Sequence, residues 1–218
     1  MNYKSLVISV FGGMKAPGSA KCVPICDDAG RGVGRLRPVT SDFRAALPDC
    51  AELFAKWRNE NSTLSAVPFT ATPEGTARWL DNKVIGREDR LLFLILSDPR
   101  PSDRGPSDGE KIGHIGFSSF DFADRSCEVD AVLRGNKTAC PGMMTFALRA
   151  LIKWGKTTLK PSVIRLRVFE ENRHAIEFYR RIGFFTVGKS PAGPDRTYLV
   201  MQYRADDAEN NADTNGGI

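Results

Sequence analysis

Residues 163–185 constrain the fold of this chain more than any other segment. Their sequence, VIRLRVFEENRHAIEFYRRIGFF, starts with β-branched and aromatic residues that predict a buried strand over Val163 to Phe169. Asn172 is suited to cap a helix, because its side-chain oxygen can accept a free backbone N–H of the first turn. Gly183 ends that helix where a left-handed residue is easiest to place. The apolar face of the helix is formed by Ala175, Ile176, Tyr179 and Ile182.

Tyr179, on the inner face of this helix, has two interpretations. It can be a core aromatic residue without a chemical role. It can also be a phenol that lies beside the end of a strand and donates a proton. The segment alone leaves both open.

A second unit of strand, turn and helix precedes this segment. Residues 126–134, SCEVDAVLR, alternate as a strand, with Glu128, Asp130 and Arg134 on one side. The other side is formed by Cys127, Val129, Ala131 and Leu133. After the turn-rich residues 135–142, a helix has an apolar stripe of Met144, Ala147, Leu148, Leu151 and Ile152. Free N–H groups at the start of such a helix, with the helix dipole behind them, can bind a phosphate group.

The two units together resemble the GNAT superfamily of acyl-CoA-dependent N-acetyltransferases, over residues 34–203. The acyl-CoA loop of that family usually reads Gln or Arg, two residues, Gly, one residue, and Gly or Ala. Gly142, Met143 and Met144 match its last three positions, whereas Ala139 stands three residues before Gly142 in place of Gln or Arg. The loop is therefore lengthened or reshaped relative to the family pattern.

Three short motifs are most similar to the branch of the family that acetylates nucleotide-linked amino sugars. They are WRN at residues 57–59, PGMM at residues 141–144 and RVFEEN at residues 167–172. Ribosomal-protein and N-terminal acetyltransferases share the WRN-like helix end, so a protein acceptor is the alternative within the family.

The resemblance implies an α/β (α+β) fold, with a mixed, mostly antiparallel central sheet of about seven strands and four helices on both faces. The alternation of strand and helix patterns favours the same class. Residues 1–33 are predicted to be an irregular extension in which LVISVF could form a strand, and residues 34–204 the acetyltransferase domain. The polar, acidic residues 205–218 have the composition of a disordered tail.

The resemblance also implies a site for acetyl-CoA as co-substrate. The strand at Val132 and Leu133 is expected to splay from Val168, and its exposed backbone groups then bind the pantetheine arm. The remaining predicted cofactor residues are Arg134, Gly142, Met143, Met144, Asn172 and Tyr179. No metal is implied, because the two histidines lie 60 residues apart without a ligand pattern.

Direct acetyl transfer to an amine in a ternary complex needs a proton donor and a base. We assign the donor role to Tyr179, whose phenol stays protonated at neutral pH. We prefer Glu128 as the base, acting through water, because it matches the strand-borne glutamate of the family. Asp130, His114 and water are the alternatives. Arg58 and Asn59, at the end of the first helix of the domain, are predicted to line the acceptor pocket.

The composition restricts the partners of the chain. Its net charge is +5, and because the last 14 residues carry four acidic and no basic side chains, the rest carries a larger positive charge. Such a body suits an anionic ligand such as a nucleotide diphosphate. Basic blocks with interleaved aromatics, typical of nucleic-acid binding, are missing from the sequence. No apolar run approaches the ~20 residues of a membrane span, so we expect a cytoplasmic protein. The family resemblance implies that its acceptor is a small-molecule amine.

The cysteines do not indicate disulfides or a metal site. There are five, and Cys22 and Cys26 are the only close pair. Cys140, in the predicted cofactor loop, is interpreted as a bystander. A non-catalytic acyl-CoA-binding regulatory module on the same scaffold is the remaining functional alternative, and either a monomer or a homodimer is compatible with the sequence.

Overall fold

One sheet of eight strands organises the described part of the chain. The computed structural model describes residues 2–61, 70–98, 109–137, 141–193 and 195–204. The strands are β1 Val23–Cys26, β2 Gly32–Pro38, β3 Leu91–Ser97, β4 Lys111–Asp121, β5 Ser126–Arg134, β6 Val163–Phe169, β7 Phe184–Pro191 and β8 Thr197–Tyr203. The helices are α1 Tyr3–Lys15, α2 Phe43–Ala46, α3 Cys50–Glu60, α4 Pro73–Leu80, α5 Met143–Trp154 and α6 Arg173–Ile182. A π-helical turn extends α4 over Asp81–Ile85, and another extends α5 over Gly155–Leu159.

The strand order is β1-β2-β3-β4-β5-β6-β8-β7, and every neighbouring pair is antiparallel except β5 and β6. The parallel pair requires a crossover connection, and α5 supplies it. The predicted mixed, mostly antiparallel sheet is therefore confirmed. It has one strand more than the seven expected.

Helices cover both faces of the sheet. One face packs against α1, α5 and α6, and the other against α2, α3 and α4. Strand β3 shows why an unbroken apolar run is needed at the centre. Leu91, Phe93 and Ile95 belong to the first core and Leu92, Leu94 and Leu96 to the second, so both sides of the strand are buried.

The prediction of an irregular extension, with a possible strand at LVISVF, is wrong. Residues 3–15 form α1, because Val7, Phe11 and Met14 recur at helical spacing and are all buried. The Asn2 side chain caps the helix by accepting the Ser5 N–H at 2.8 Å. Residues 23–26 then form β1, which pairs with β2 in the same sheet.

Lys15 joins this N-terminal helix to the segment before β3. Its ammonium group donates hydrogen bonds to the carbonyl oxygens of Val84 at 3.2 Å, Ile85 at 3.3 Å and Arg90 at 3.3 Å. Burial lowers the pKa of Lys15. The N-terminal helix therefore fixes the backbone of Arg90, whose side chain reaches the functional site.

The predicted alternation of β5 holds only for its first half. Ala131 has a positive φ of 52°. His114 pairs with Leu133 and Gly116 with Asp130, so β5 contains one residue more than β4 between these two pairs. This β-bulge exchanges the two faces of the strand. Val129 therefore packs in the first core, whereas Leu133, predicted on the same side, packs in the second.

Some predictions fall outside the described residues. These are the acidic tail at residues 205–218 and the loop residue Cys140. The boundaries of the acetyltransferase domain stay a prediction. None of the described helices is long and apolar enough to cross a membrane.

Candidate active site

The central feature of the site is a split in the sheet between β5 and β6. These strands pair only over Ser126 to Glu128, opposite Val163 to Arg165. Beyond that point β5 stays paired with β4 as far as Arg134, and β6 stays paired with β8 as far as Phe169. The two strands therefore separate where the bulge at Ala131 lies, and backbone groups between them face open space. The predicted splay of this strand is observed.

A cavity of about 1290 Å³ fills this split. Helices α5 and α6 border it from one face of the sheet, and α3 and α4 border it from the other. Most of the predicted site residues lie along its wall, namely Arg58, His114, Asp130, Val132, Leu133, Arg134, Gly142, Met144, Asn172 and Tyr179. Three predicted residues, Glu128, Asn59 and Met143, are not among the described residues that line it.

The start of α5 fits a phosphate-bearing ligand. Gly142 takes the left-handed conformation (φ 83°, ψ −16°) at the N-cap, and its carbonyl accepts the N–H groups of Thr145 and Phe146. The preceding N–H groups, those of Met143 and Met144, have no partner within the helix and lie at its positive end. The side chain of Met143 is buried in the core, so only its backbone could contact a ligand.

Basic side chains line the same cavity as this helix start. Arg134, Lys137, His174 and Arg181 line the same cavity. The Arg134 guanidinium donates to the carbonyl oxygens of Asn136 at 3.1 Å and Lys137 at 2.9 Å, and so shapes the loop that leaves β5. Positive charge and free N–H groups together suit the pyrophosphate of a coenzyme A thioester.

Helix α6 places Tyr179 in the split. Asn172 caps the helix as predicted, accepting the Ala175 N–H at 3.1 Å, and Gly183 ends it with φ 110°. The Tyr179 ring meets Phe184 edge-on with centroids 5.9 Å apart. Burial, reinforced by the Asp130 charge, raises the pKa of Tyr179. The phenol therefore keeps its proton at physiological pH, as a proton donor must.

The predicted bases differ in position. Asp130 lines the cavity, forms an ion pair with Arg90 and accepts the Ala131 N–H at 2.7 Å. Glu128, our preferred base from the sequence, forms an ion pair with Arg167 at 2.9 Å and does not line the cavity. The structure thus brings Asp130, and not Glu128, together with Tyr179.

His114 lies in the cavity wall and is almost fully buried. Its Nδ1 lies 2.7 Å from the Ala131 carbonyl oxygen, and its ring packs on Phe54 with centroids 4.6 Å apart. Burial lowers the pKa of His114 to about 4, although the bond to Ala131 opposes this shift. The imidazole is therefore neutral at pH 7 and too weak a base to take a proton from an amine efficiently.

We expect His114 to make the protein less stable in acid. Well above pH 6.5 the ring is neutral in both the folded and the unfolded state, so its burial does not make the free energy of unfolding depend on pH. As the pH falls from 6.5 to 4 only the unfolded state binds a proton, and at pH 4.5 about 2–3 kcal/mol of the free energy of unfolding is lost. Urea unfolding at pH 7.5 and 4.5 measures this loss.

The same pair of unfolding measurements is made on His114→Asn, in which the new side chain does not titrate. His174→Asn is the control, because His174 is exposed. The His114 variant should lose about 2–3 kcal/mol less on acidification than the native protein and the control. Equal losses in all three would show that His114 is not held neutral.

The two predicted acceptor residues take different roles. Arg58 lines the cavity. The side-chain amide of Asn59 instead accepts a hydrogen bond from the Ala71 N–H at 2.8 Å and donates one to the Ala71 carbonyl oxygen at 2.9 Å, and so fixes the segment that precedes α4.

Several residues in the cavity wall were not predicted from the sequence. They are Arg78 and Trp79 on α4, Arg90 before β3 and Tyr198 on β8. No local motif marks them, because only the fold brings them together.

Comparison with known proteins decides the family. The family described as Acetyltransferase (GNAT) domain matches residues 35–185. The chain belongs to the GNAT acetyltransferase family. No curated protein matches the chain.

Several solved GNAT structures have the same fold. Apo FdhC, a nucleotide-linked sugar GNAT, is 17% identical with a TM-score of 0.58, over 78% of this chain and 85% of that one. A probable acetyltransferase from Chromobacterium violaceum is 18% identical with a TM-score of 0.61, over 90% and 92%. RimL, an alpha-N-protein acetyltransferase, is 15% identical with a TM-score of 0.63, over 84% and 93%. Another RimL structure is a complex with coenzyme A.

These structural similarities establish the fold, and the family match adds the reaction class. The chain is a GNAT-type acyltransferase. Within its described residues, no group of three or more His, Cys, Asp or Glu side chains is arranged to hold a metal ion.

Proposed function

We propose that this GNAT domain transfers the acetyl group of acetyl-CoA to a primary amine of a small molecule, by direct transfer in a ternary complex. The observation that carries the proposal is the split between β5 and β6, which connects the start of α5 on one face with α3 and α4 on the other. Two ligands entering from opposite faces would meet in the split beside Tyr179. Such positioning supplies much of the rate of an enzyme.

The cofactor would enter from the α5 and α6 face. Backbone N–H groups at Gly142, Met143 and Met144 would hold its pyrophosphate, with Arg134 and Lys137 nearby. The separated edge of β5 at Val132 and Leu133 would bind the pantetheine arm. Acetyl-CoA supplies an activated thioester, and a backbone N–H of β5 would stabilise the negative charge that develops on its oxygen.

Two side chains would handle the protons. As the amine nitrogen bonds to the carbonyl carbon and the carbon–sulfur bond breaks, Tyr179 would give its proton to the departing sulfur. Asp130, directly or through a water molecule, would take the proton from the amine. We assign the base to Asp130 because it lines the cavity, while Glu128 is the alternative through a longer water path.

For the acceptor we propose a nucleotide-linked amino sugar. The sequence motifs resemble that branch of the family, and apo FdhC, a nucleotide-linked sugar GNAT, has the same fold. A protein N-terminus is the second candidate, because RimL is also similar in fold. A non-catalytic acyl-CoA-binding module is the third.

A thiol-release assay separates these candidates. Acetyl-CoA is incubated with the protein and with nucleotide-linked amino sugars, aminoglycosides or short peptides. We expect thiol release that depends on an amine, is fastest with the nucleotide-linked sugars, and rises with pH as the amine deprotonates. Preference for peptides would support the protein acceptor. Tight acetyl-CoA binding without release in any mixture would leave only the regulatory module.

A further inference from the structure

The mouth of the cavity on the α3 and α4 face is strongly basic. We call it the acceptor mouth and define it by Arg58 on α3, Arg78 and Trp79 on α4, and Arg90 before β3. Among the described residues lining the whole cavity, Asp130 is the only carboxylate. It lies at the split itself and forms an ion pair with Arg90. The mouth therefore presents three guanidinium groups and no acidic side chain of its own.

Arg58 and Arg90 both act on the centre of the site. Arg58 is half-buried, which lowers its pKa, and the Asp130 charge partly offsets this effect. Both guanidinium groups are near enough to buried His114 to favour its neutral form. The Arg90 guanidinium also lies over the Trp79 ring, 5.2 Å from its centroid. The two arginines are thus held on packed elements next to the catalytic groups.

We propose, on the basis of the acetyl-transfer function above, that the acceptor carries a phosphate group near its amine and that Arg58 and Arg90 bind this phosphate. A guanidinium group matches the geometry of phosphate oxygens and can donate two parallel hydrogen bonds. The three guanidinium groups leave an excess of positive charge at the mouth even while Arg90 is paired with Asp130, and this excess attracts such an acceptor and repels a polyamine, whose charges are all positive.

The proposal gives Arg90 a second role. In the unliganded protein Arg90 neutralises Asp130. When Arg90 turns to the phosphate of an acceptor, the Asp130 carboxylate becomes available to the amine. Recognition of the phosphate and release of the base then occur together, so amines without phosphate are acetylated less efficiently.

Binding of UDP to the protein saturated with coenzyme A tests the phosphate site. Coenzyme A fills the phosphate site at α5, so UDP measured by calorimetry reports the acceptor mouth alone. We expect Arg58→Met and Arg90→Met each to weaken UDP binding at least about ten-fold while coenzyme A affinity is kept. Arg58→Lys should retain part of it, because lysine keeps the charge but loses the two-bond geometry. The control is Arg149→Met, an exposed residue outside the cavity.

A second measurement compares acceptors that differ only in phosphate. The ratio of kcat/KM for glucosamine 1-phosphate to that for glucosamine should exceed one in the native protein. It should fall at least about ten-fold in Arg90→Met. Retained coenzyme A binding and melting temperature identify variants that are folded.

The outcomes separate this proposal from the proposed function. No UDP binding beside coenzyme A, or equal binding by the arginine variants and the control, overturns the phosphate site. Acetylation of amines without phosphate would still support the transferase function in that case. If no amine is acetylated but UDP binds through Arg58 and Arg90, the site stands and the transferase function fails.

Discussion

Replacing Tyr179 with Phe is expected to lower kcat by about 10²–10⁴-fold, the usual contribution of a general acid. The substitution keeps the ring and its contact with Phe184 and removes only the O–H. If the phenol protonates the departing sulfur, the loss falls on the chemical step, and acetyl-CoA affinity stays nearly constant. Single-turnover thiol release with a good acceptor measures that step, and calorimetry measures the affinity.

The chain offers a matched control for this variant. Tyr203 also packs on Phe184, with centroids 5.4 Å apart, but it does not line the cavity. Tyr203→Phe therefore removes a hydroxyl from the same aromatic cluster and should leave kcat within about two-fold of native. A Tyr179→Phe protein that retains the chemical rate of this control would show that water or another group donates the proton.

The second half of the chain could be predicted well, because its signals are local. Asn172 and Gly183 set the ends of α6 through a backbone conformation and through hydrogen bonds to residues no more than four positions away. The sequence of strand β3 carries a similarly local signal, since its unbroken apolar run fits only a position buried on both sides. Together, these elements were enough to predict the class of the sheet and the place of Tyr179.

Predictions from the sequence were wrong where contacts between distant segments determine the local conformation. The apolar residues of the N-terminal segment fit a strand or a helix over a short window. Burial of Val7, Phe11 and Met14 against the sheet selects the helix. The bulge at Ala131 has no marker in the sequence, since a left-handed alanine is uncommon, and it moves Leu133 to the opposite core.

The choice of base shows the same limit. On one strand, Glu128 and Asp130 look equivalent, because both lie on its polar side. Their partners come from distant parts of the chain, Arg167 for the first and Arg90 for the second. Only the separation of β5 from β6 after Glu128 gives Asp130 access to the cavity. Of the acceptor mouth only Arg58 was predicted, because Arg58, Arg78 and Arg90 come from three separate elements and only the fold brings them together.

Replacing Gly142 with Val is expected to weaken acetyl-CoA binding by at least about ten-fold. The added Cβ would lie 3.1 Å from Cε2 of Phe146, on the side where α5 begins. A β-branched residue also resists the φ of 83° that Gly142 adopts. The helix start would have to shift, and the N–H groups of Met143 and Met144 would move from the positions in which they can hold a pyrophosphate. Calorimetry on the folded variant measures the loss.

Backbone strain alone must be separated from loss of the site. Gly18 has a similar φ of 67°, lies outside the cavity, and has open space for at least 4 Å around the point where a Cβ would lie. Gly18→Val therefore carries a comparable conformational cost at a place with no expected ligand, and its acetyl-CoA affinity should match the native value. If both valine variants lose stability but bind acetyl-CoA equally well, the pyrophosphate does not lie at the start of α5. The cofactor would then have to be held by the separated strands and the basic side chains alone.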